Sequence, residues 1–205
     1  MNFYQDGMRE LQDRYEGRAV ADRIEDLRMH TTFTDEDRHF IESVPFFFLA
    51  TASADSVDCS FKGGMPGFVR AIADNQLAWP DYDGNRTYRS LGNIHSNSRV
   101  GLLFLSTDGT LFDGSAARLR INGRAEIDDS PEALAGLPGA KRLVRVMVDH
   151  IFPNCPRYIP EMTMIEPSVY SPREGHIPPE PRWKSLPHVK DIIDSEKAKD
   201  GSEPG

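Results

Sequence analysis

The chain predicts a mainly β protein with flanking helices (α+β), built on an antiparallel barrel or sandwich. Three observations predict it. About seven short apolar stretches are separated by Gly, Pro, Asp and Asn turn signals. Helical periodicity is concentrated before residue 45, with few helices inside the strand series. There is no GxGxxG after a strand, no GxxxxGK[ST] and no internal repeat, so neither a nucleotide-binding α/β unit nor a solenoid is signalled.

The chain has 205 residues, enough for one domain with extensions. A chain of this size buries roughly 70% of its unfolded surface, so it needs no disulfide or metal staple. Lys and Arg number 24 against 32 Asp and Glu, a formal net charge of −8. An acidic chain gains little from counterion release, which disfavours a nucleic-acid partner and leaves room for a local basic pocket. Cys59 and Cys155 are far apart and form no CxxC, so they suggest neither a zinc site nor a disulfide framework and are expected to be buried small apolar residues. The polar start MNFYQDGMRELQDRYEGR is unlike a signal peptide. The apolar run at 46–50 is too short to cross a bilayer, so no membrane role and a cytoplasmic location are expected.

Along the chain, Phe3, Met8, Leu11, Tyr15, Ala19, Ile24 and Leu27 recur at mostly helical spacing, with a break at Gly17. Thr34 and the acids after it mark a second helix start, and Pro45 ends that helix. Strands are expected at 46–52 and 57–62, and at 68–72 and 76–79 around an Asp74-Asn75 hairpin turn. A dense turn at 80–85 feeds a helix over 86–95. Further strands are expected at 100–105, 117–127 and 143–151, with one more at 163–170. Residues 108–115 form a glycine-rich loop, and Ser130-Pro131 opens a short helix. Pro172, Pro178, Pro179, Pro181 and Pro187 make an irregular arm, followed by a possible helix from Lys190 and a disordered end.

Four stretches carry candidate chemistry. Arg86 and Arg89 share a face in the first turn of the expected helix. Cations are unfavourable at a helix N-terminus unless an anion such as phosphate sits between them; the other reading is a solvated face. Ser60 and Lys62 share one face of their strand. Gly63 and Gly64 behind them allow close approach of a ligand, while the plainer reading is an edge strand with Lys62 in solvent. Phe152-Pro-Asn-Cys-Pro-Arg-Tyr reads as a rigid corner that either ends the barrel or projects Arg157 and Tyr158 into a site. Trp183, alone in a polar arm, needs a surface to cover. His95, His150 and His176 face no obvious carboxylate and read as ordinary residues.

These blocks, in this order, resemble the pyridoxamine 5′-phosphate oxidase-like flavin-binding split-barrel family. They are Phe47-Phe-Leu-Ala-Thr-Ala, Asp58-Cys-Ser-Phe-Lys-Gly-Gly-Met-Pro-Gly-Phe-Val-Arg, Pro80-Asp-Tyr-Asp-Gly-Asn, Arg89-Ser-Leu-Gly-Asn-Ile and Phe152-Pro-Asn-Cys-Pro-Arg-Tyr-Ile. The resemblance covers roughly residues 8–185. It implies a six-stranded antiparallel split β-barrel that dimerises, with FMN bound at the interface of the homodimer. It divides the chain into an N-terminal helical extension (1–45), a split-barrel flavin-binding domain (46–171) and a proline-rich arm with a disordered tail (172–205). The family's phosphate-binding arginine falls on Arg89, its lysine on Ser90 and its serine on Tyr88, and Lys62 is the candidate to replace the missing lysine charge. Asp81, Tyr82, Asp83 and Asn85 match the chain along the flavin ring. Ser60, Phe61, Lys62 and Gly63 match the strand end that meets ring or phosphate. Trp183 is the arm residue expected against the cofactor. The implied function is an FMN-dependent oxidoreductase acting on a small molecule, with NAD(P)H or oxygen as redox partner. The alternative is a non-catalytic protein holding flavin, haem or deazaflavin. The Trp-x-x-x-Arg-Leu segment that holds the vitamin substrate in the oxidase proper has no counterpart in Arg182-Trp-Lys, which disfavours that substrate.

Overall fold

A computed structural model of the protein describes residues 3–106, 118–155, 157–160 and 162–199. Seven strands form in chain order: β1 (Phe46–Ala52), β2 (Val57–Gly63), β3 (Arg70–Ala73), β4 (Gln76–Asp81), β5 (Arg99–Leu105), β6 (Arg118–Asp128) and β7 (Arg142–Asn154). All pair antiparallel in one sheet of order β2-β1-β5-β6-β7-β4-β3. No ladder joins the edge strands β2 and β3 among the described residues, so the sheet stays split. This is one strand more than the resemblance implies. The run 57–73 is cut by Gly64-Met65-Pro66-Gly67, where Gly67 takes φ 84°, and its two pieces go to opposite edges.

Among the described residues, six helices flank the sheet: α1 (Asp6–Arg14), α2 (Arg18–Arg28), α3 (Asp35–Ser43), α4 (Arg89–Ser96), α5 (Pro131–Leu134) and α6 (Pro187–Lys199). Gly17 separates α1 from α2, where the sequence places the break. Thr34 caps α3 through a reciprocal box in which its hydroxyl accepts from Asp37 N and Asp37 accepts from Thr34 N. The buried Asp37 carboxylate also bonds Nε2 of His30 at 2.7 Å, anchoring the segment between α2 and α3. Phe40 and Ile41 on the buried side of α3 are fully enclosed.

The core lies on the inner face of the sheet. Phe47, Leu49, Leu77, Trp79, Leu102, Phe104, Leu119, Ile121, Val146 and Ile151 alternate inward along their strands. Phe47 is its hub: its ring lies 5.0 Å from Trp79, 5.1 Å from Phe104 and 6.0 Å from Phe68. The long β6–β7 hairpin shifts register between Asn122 and Gly123, leaving Asp149 as the extra residue of a bulge. A Cβ at Gly123 would meet the Met147 carbonyl oxygen at 2.3 Å, so this kink requires glycine.

Several expectations are corrected here. The helix expected over 86–95 begins only at Arg89, because Arg86 (φ 61°) and Tyr88 (φ 51°) are left-handed. Between them, Asn85 Oδ1 accepts from both the amide and the hydroxyl of Thr87, a local turn that competes with helix. No strand forms over 163–170. β7 instead runs through Phe152, Pro153 and Asn154, with Pro153 opposite Leu119, so the expected corner is the end of a strand. Arg157 and Tyr158 are exposed beyond it. Both cysteines are exposed and free, not buried: Cys59 lies on the outer face of an edge strand and Cys155 follows the end of β7. The glycine-rich stretch 108–115 and the tail 200–205 lie outside the described residues. The arm is irregular apart from a 3₁₀ turn at Arg182–Ser185, and α6 follows it. No described helix is long and apolar enough to cross a membrane.

Phe47→Ala removes the ring on which three others converge. The expected loss is about 3–5 kcal/mol of unfolding free energy by chemical denaturation. A loss under ~1 kcal/mol would place the hub of the core elsewhere.

Candidate functional site

The β1–β2 register determines where the core ends and the site begins. Asp58, Ser60 and Lys62 pair with Thr51, Leu49 and Phe47 and therefore share the inner face with these buried residues. A polar edge strand thus continues an apolar wall. Above it lies a cleft of about 1380 Å³, formed by β2, the 81–91 segment, the start of β7 and the proline-rich arm.

The first turn of α4 is tied to β2 through Ser90 and Arg89. Ser90 Oγ donates to Asp58 Oδ2 at 2.8 Å and shares a hydrogen bond with Ser60 Oγ at 2.9 Å. Arg89 Nε donates to Asp58 Oδ1 at 3.1 Å, which aims one edge of its guanidinium at the strand. Deeper in, Asn93 Nδ2 reaches Thr51 Oγ1 at 3.2 Å. The Ser90 hydroxyl, aided by Arg89, outweighs burial and holds the Asp58 carboxyl below the ordinary carboxylate range.

α4 has no side-chain cap, so the amides of its first turn receive no side-chain partner at the point where Tyr88, Arg89, Ser90 and Leu91 line the cleft. Lys62 and Lys141 line the same cleft, and neither has an ion-pair partner among the described residues. An uncapped helix start with Arg89 and Lys62 nearby is suited to an anion such as phosphate.

Ion pairs hold the 81–88 segment from three sides. Asp81 pairs with Arg142 of β7 at 3.0 Å, and that guanidinium also stacks over the Tyr88 ring at 5.0 Å. Asp83 pairs with Lys184 of the arm at 2.7 Å. Arg86 pairs with Glu196 of α6. Tyr82 is half-buried, and burial pushes its hydroxyl pKa upward.

Of the residues singled out from the sequence, Ser60, Phe61, Lys62, Asp81, Tyr82, Asp83, Asn85, Arg89, Ser90 and Trp183 all line this cleft. Gly63 does not. Its Cβ would meet the Phe61 ring at 2.7 Å, and one on Gly64 would meet Phe68 at 2.5 Å, so both glycines make room for packing. Arg86 lines the cleft but lies before the helix, engaged by Glu196, so the shared helical face with Arg89 does not exist. Arg157 and Tyr158 are not in the lining. The sequence reading missed Asp58, Lys141, Arg142, Tyr170 and Glu196. For Asp58 the signal was present, since it stands two residues before Ser60 on the same strand face.

A split antiparallel sheet with flanking helices, bearing an anion-suited cleft at the start of α4, defines the class: a split-barrel protein. The chain belongs to the pyridoxamine 5′-phosphate oxidase family, whose sequence pattern matches residues 33–167, well over half of the chain. No curated protein matches it. Among solved structures it is similar to an FMN-binding protein from Syntrophomonas wolfei (13% identity, 71% of this chain and 97% of that one, TM-score 0.45). It is also similar to a conserved hypothetical protein from Mycobacterium tuberculosis (19%, 65% and 94%, 0.44) and to HupZ from Group A Streptococcus (16%, 59% and 94%, 0.44).

Ser90→Ala is expected to raise the Asp58 pKa toward the ordinary value, followed as a carboxyl-carbon NMR titration. Because the folded pKa is depressed, the contribution of Asp58 to stability is complete above the ordinary value of about 3.9 and fades as pH falls through the lowered one. Overlaying titrations of the two proteins would remove Ser90 as the cause.

Proposed function

We propose that the cleft binds FMN and that the chain is a flavin-dependent oxidoreductase acting on a small molecule. The observation that carries this reading is the uncapped start of α4 opening on a cleft with Arg89 and Lys62. Family membership supports the same cofactor class. The residues present fit the group: Arg89, Ser90, Ser60 and the α4 amides would hold the phosphate, while Tyr82, Asn85 and Trp183 would face the ring and ribityl chain. Bound flavin supplies the hydride or electron transfer. Lys62 would favour negative charge on the ring edge nearest to it. Among the described residues the lining offers neither His nor Cys, so a haem there would depend on a tyrosine as its axial ligand.

The site is read as shared within a homodimer. Phe48, Phe61, Leu103 and Val57 lie on the outer face of β1, β2 and β5, and Phe61 and Val57 are 62% and 78% exposed. An apolar sheet face of this kind suits an isologous contact. Phe61 also lines the cleft, so a second copy seated on this face would reach the flavin site.

The purified protein is expected to show a visible flavin spectrum, with the released chromophore co-migrating with FMN and not FAD. A colourless protein that takes up no added FMN would overturn the cofactor assignment. Turnover of NAD(P)H separates an enzyme from a flavin carrier. Arg89→Ala should weaken FMN retention about tenfold or more without lowering the unfolding midpoint, because a charge-assisted phosphate contact is lost while the core is untouched. Dilution to monomer should release the flavin, and a monomer that keeps it on a sizing column would place the site within one subunit.

A further inference from the structure

A second cavity, about 470 Å³, lies on the outer face of β6 and β7, beneath the N-terminal segment, α1 and α2. The register places Arg120, Asn122, His150 and Phe152 on this face, across the sheet from the buried Leu119, Ile121 and Ile151. Its wall is aromatic: the Phe3 ring meets His150 edge-on at 5.3 Å and Phe152 at 4.9 Å.

The charges of this cavity do not balance. Arg28, Arg99 and Arg120 line it, and none has an ion-pair partner among the described residues. Its two carboxylates are already engaged, Glu25 with Arg9 at 3.4 Å and Asp149 with Arg124 at 2.6 Å. All three arginines are exposed at the rim, so they gather positive charge at the mouth of the cavity in a chain of net charge −8. Burial, with the neighbouring Arg118, already disfavours the charge on Arg120. Two further polar atoms on lining residues, Nδ1 of His150 and Oδ1 of Asn154, are buried without a hydrogen-bond partner. Such atoms are unfavourable unless a ligand or water completes them. An aromatic wall, uncompensated cations and unsatisfied polar atoms together describe a site for a flat organic anion.

We propose that this cavity is a second ligand site, separate from the cleft, that takes a small aromatic anion bearing a carboxylate or phosphate ester. The assignment does not rest on the flavin reading, since the cavity shares no residue with the cleft.

The test uses the full chain, with and without saturating FMN. Benzoate, phenyl phosphate and neutral benzyl alcohol are titrated by calorimetry while the His150 ring is followed by NMR, assigned with His150→Gln. At least one anion should bind once per chain and move the His150 signal whether or not FMN is present, with benzyl alcohol at least about tenfold weaker. Comparison of the two anions identifies the head group. Arg120→Gln and, independently, Arg99→Gln should each weaken binding about tenfold with an unchanged unfolding midpoint. The proposal is overturned if neither anion binds, if both variants bind like the parent, or if FMN abolishes binding and the His150 signal never moves, which would locate the probe in the cleft.

Discussion

The site hangs on the Ser90 hydroxyl. It joins α4 to β2 beside the Arg89–Asp58 pair, bonding a carboxylate and a second hydroxyl on the same strand face. β2 is an edge strand with only β1 as neighbour, so its inner polar side chains have no second strand to pack against. Covering them with a helix start solves two problems. Asp58 gains donors that a part-buried carboxylate favours, and α4 gains a fixed orientation without a side-chain cap of its own. The consequence is a helix N-terminus that stays open toward the cleft. A serine serves here better than the lysine that the resemblance would place at this position, because a lysine at 90 could not accept the hydrogen bond from Ser60.

Packing and site share the same strand. Phe47 stands at the centre of the aromatic core and lies directly opposite Lys62 in the ladder. This cation of the cleft is therefore held one strand away from the close-packed aromatic core. The outer face of the same strands carries Phe48 and Phe61, with Val57 more exposed still. One short strand thus presents polar groups inward to the cleft and apolar groups outward, as the period of two requires.

Most of the scaffold was legible in the sequence because it rests on local rules. The seven strands follow from apolar runs between turn residues, and the α3 cap follows from Thr34 and Asp37 alone. The errors arise where a non-local or conformational term wins. The helix start moved from residue 86 to 89 because two non-glycine residues adopt positive φ, which no pattern of side-chain types announces. Pro153 was read as a terminator, yet it continues β7 opposite Leu119. Gly63 and Gly64 were read as room for a ligand, whereas they make room for Phe61 and Phe68. Ten candidate cleft residues came together because strand alternation and a motif in fixed order carry that information. Lys141, Arg142 and Glu196 were missed because only the β4–β7 pairing and the return of the C-terminal arm bring them there.

That return engages Arg86 in an ion pair with Glu196. The 81–88 segment carries two acids and one arginine, and each finds its partner on a different element: Asp81 on β7, Asp83 on the arm and Arg86 on α6. The C-terminal arm consequently contributes both signs, Lys184 and Glu196, to opposite ends of one loop. A purely cationic arm would satisfy Asp83 and leave Arg86 free to compete with Arg89 for the same anion. With Glu196 engaging Arg86, the cations left without a full carboxylate partner are Lys62, Lys141 and the outer edge of Arg89. For the proposed FMN phosphate, selectivity for where it settles would then come from neutralising one arginine as much as from supplying another.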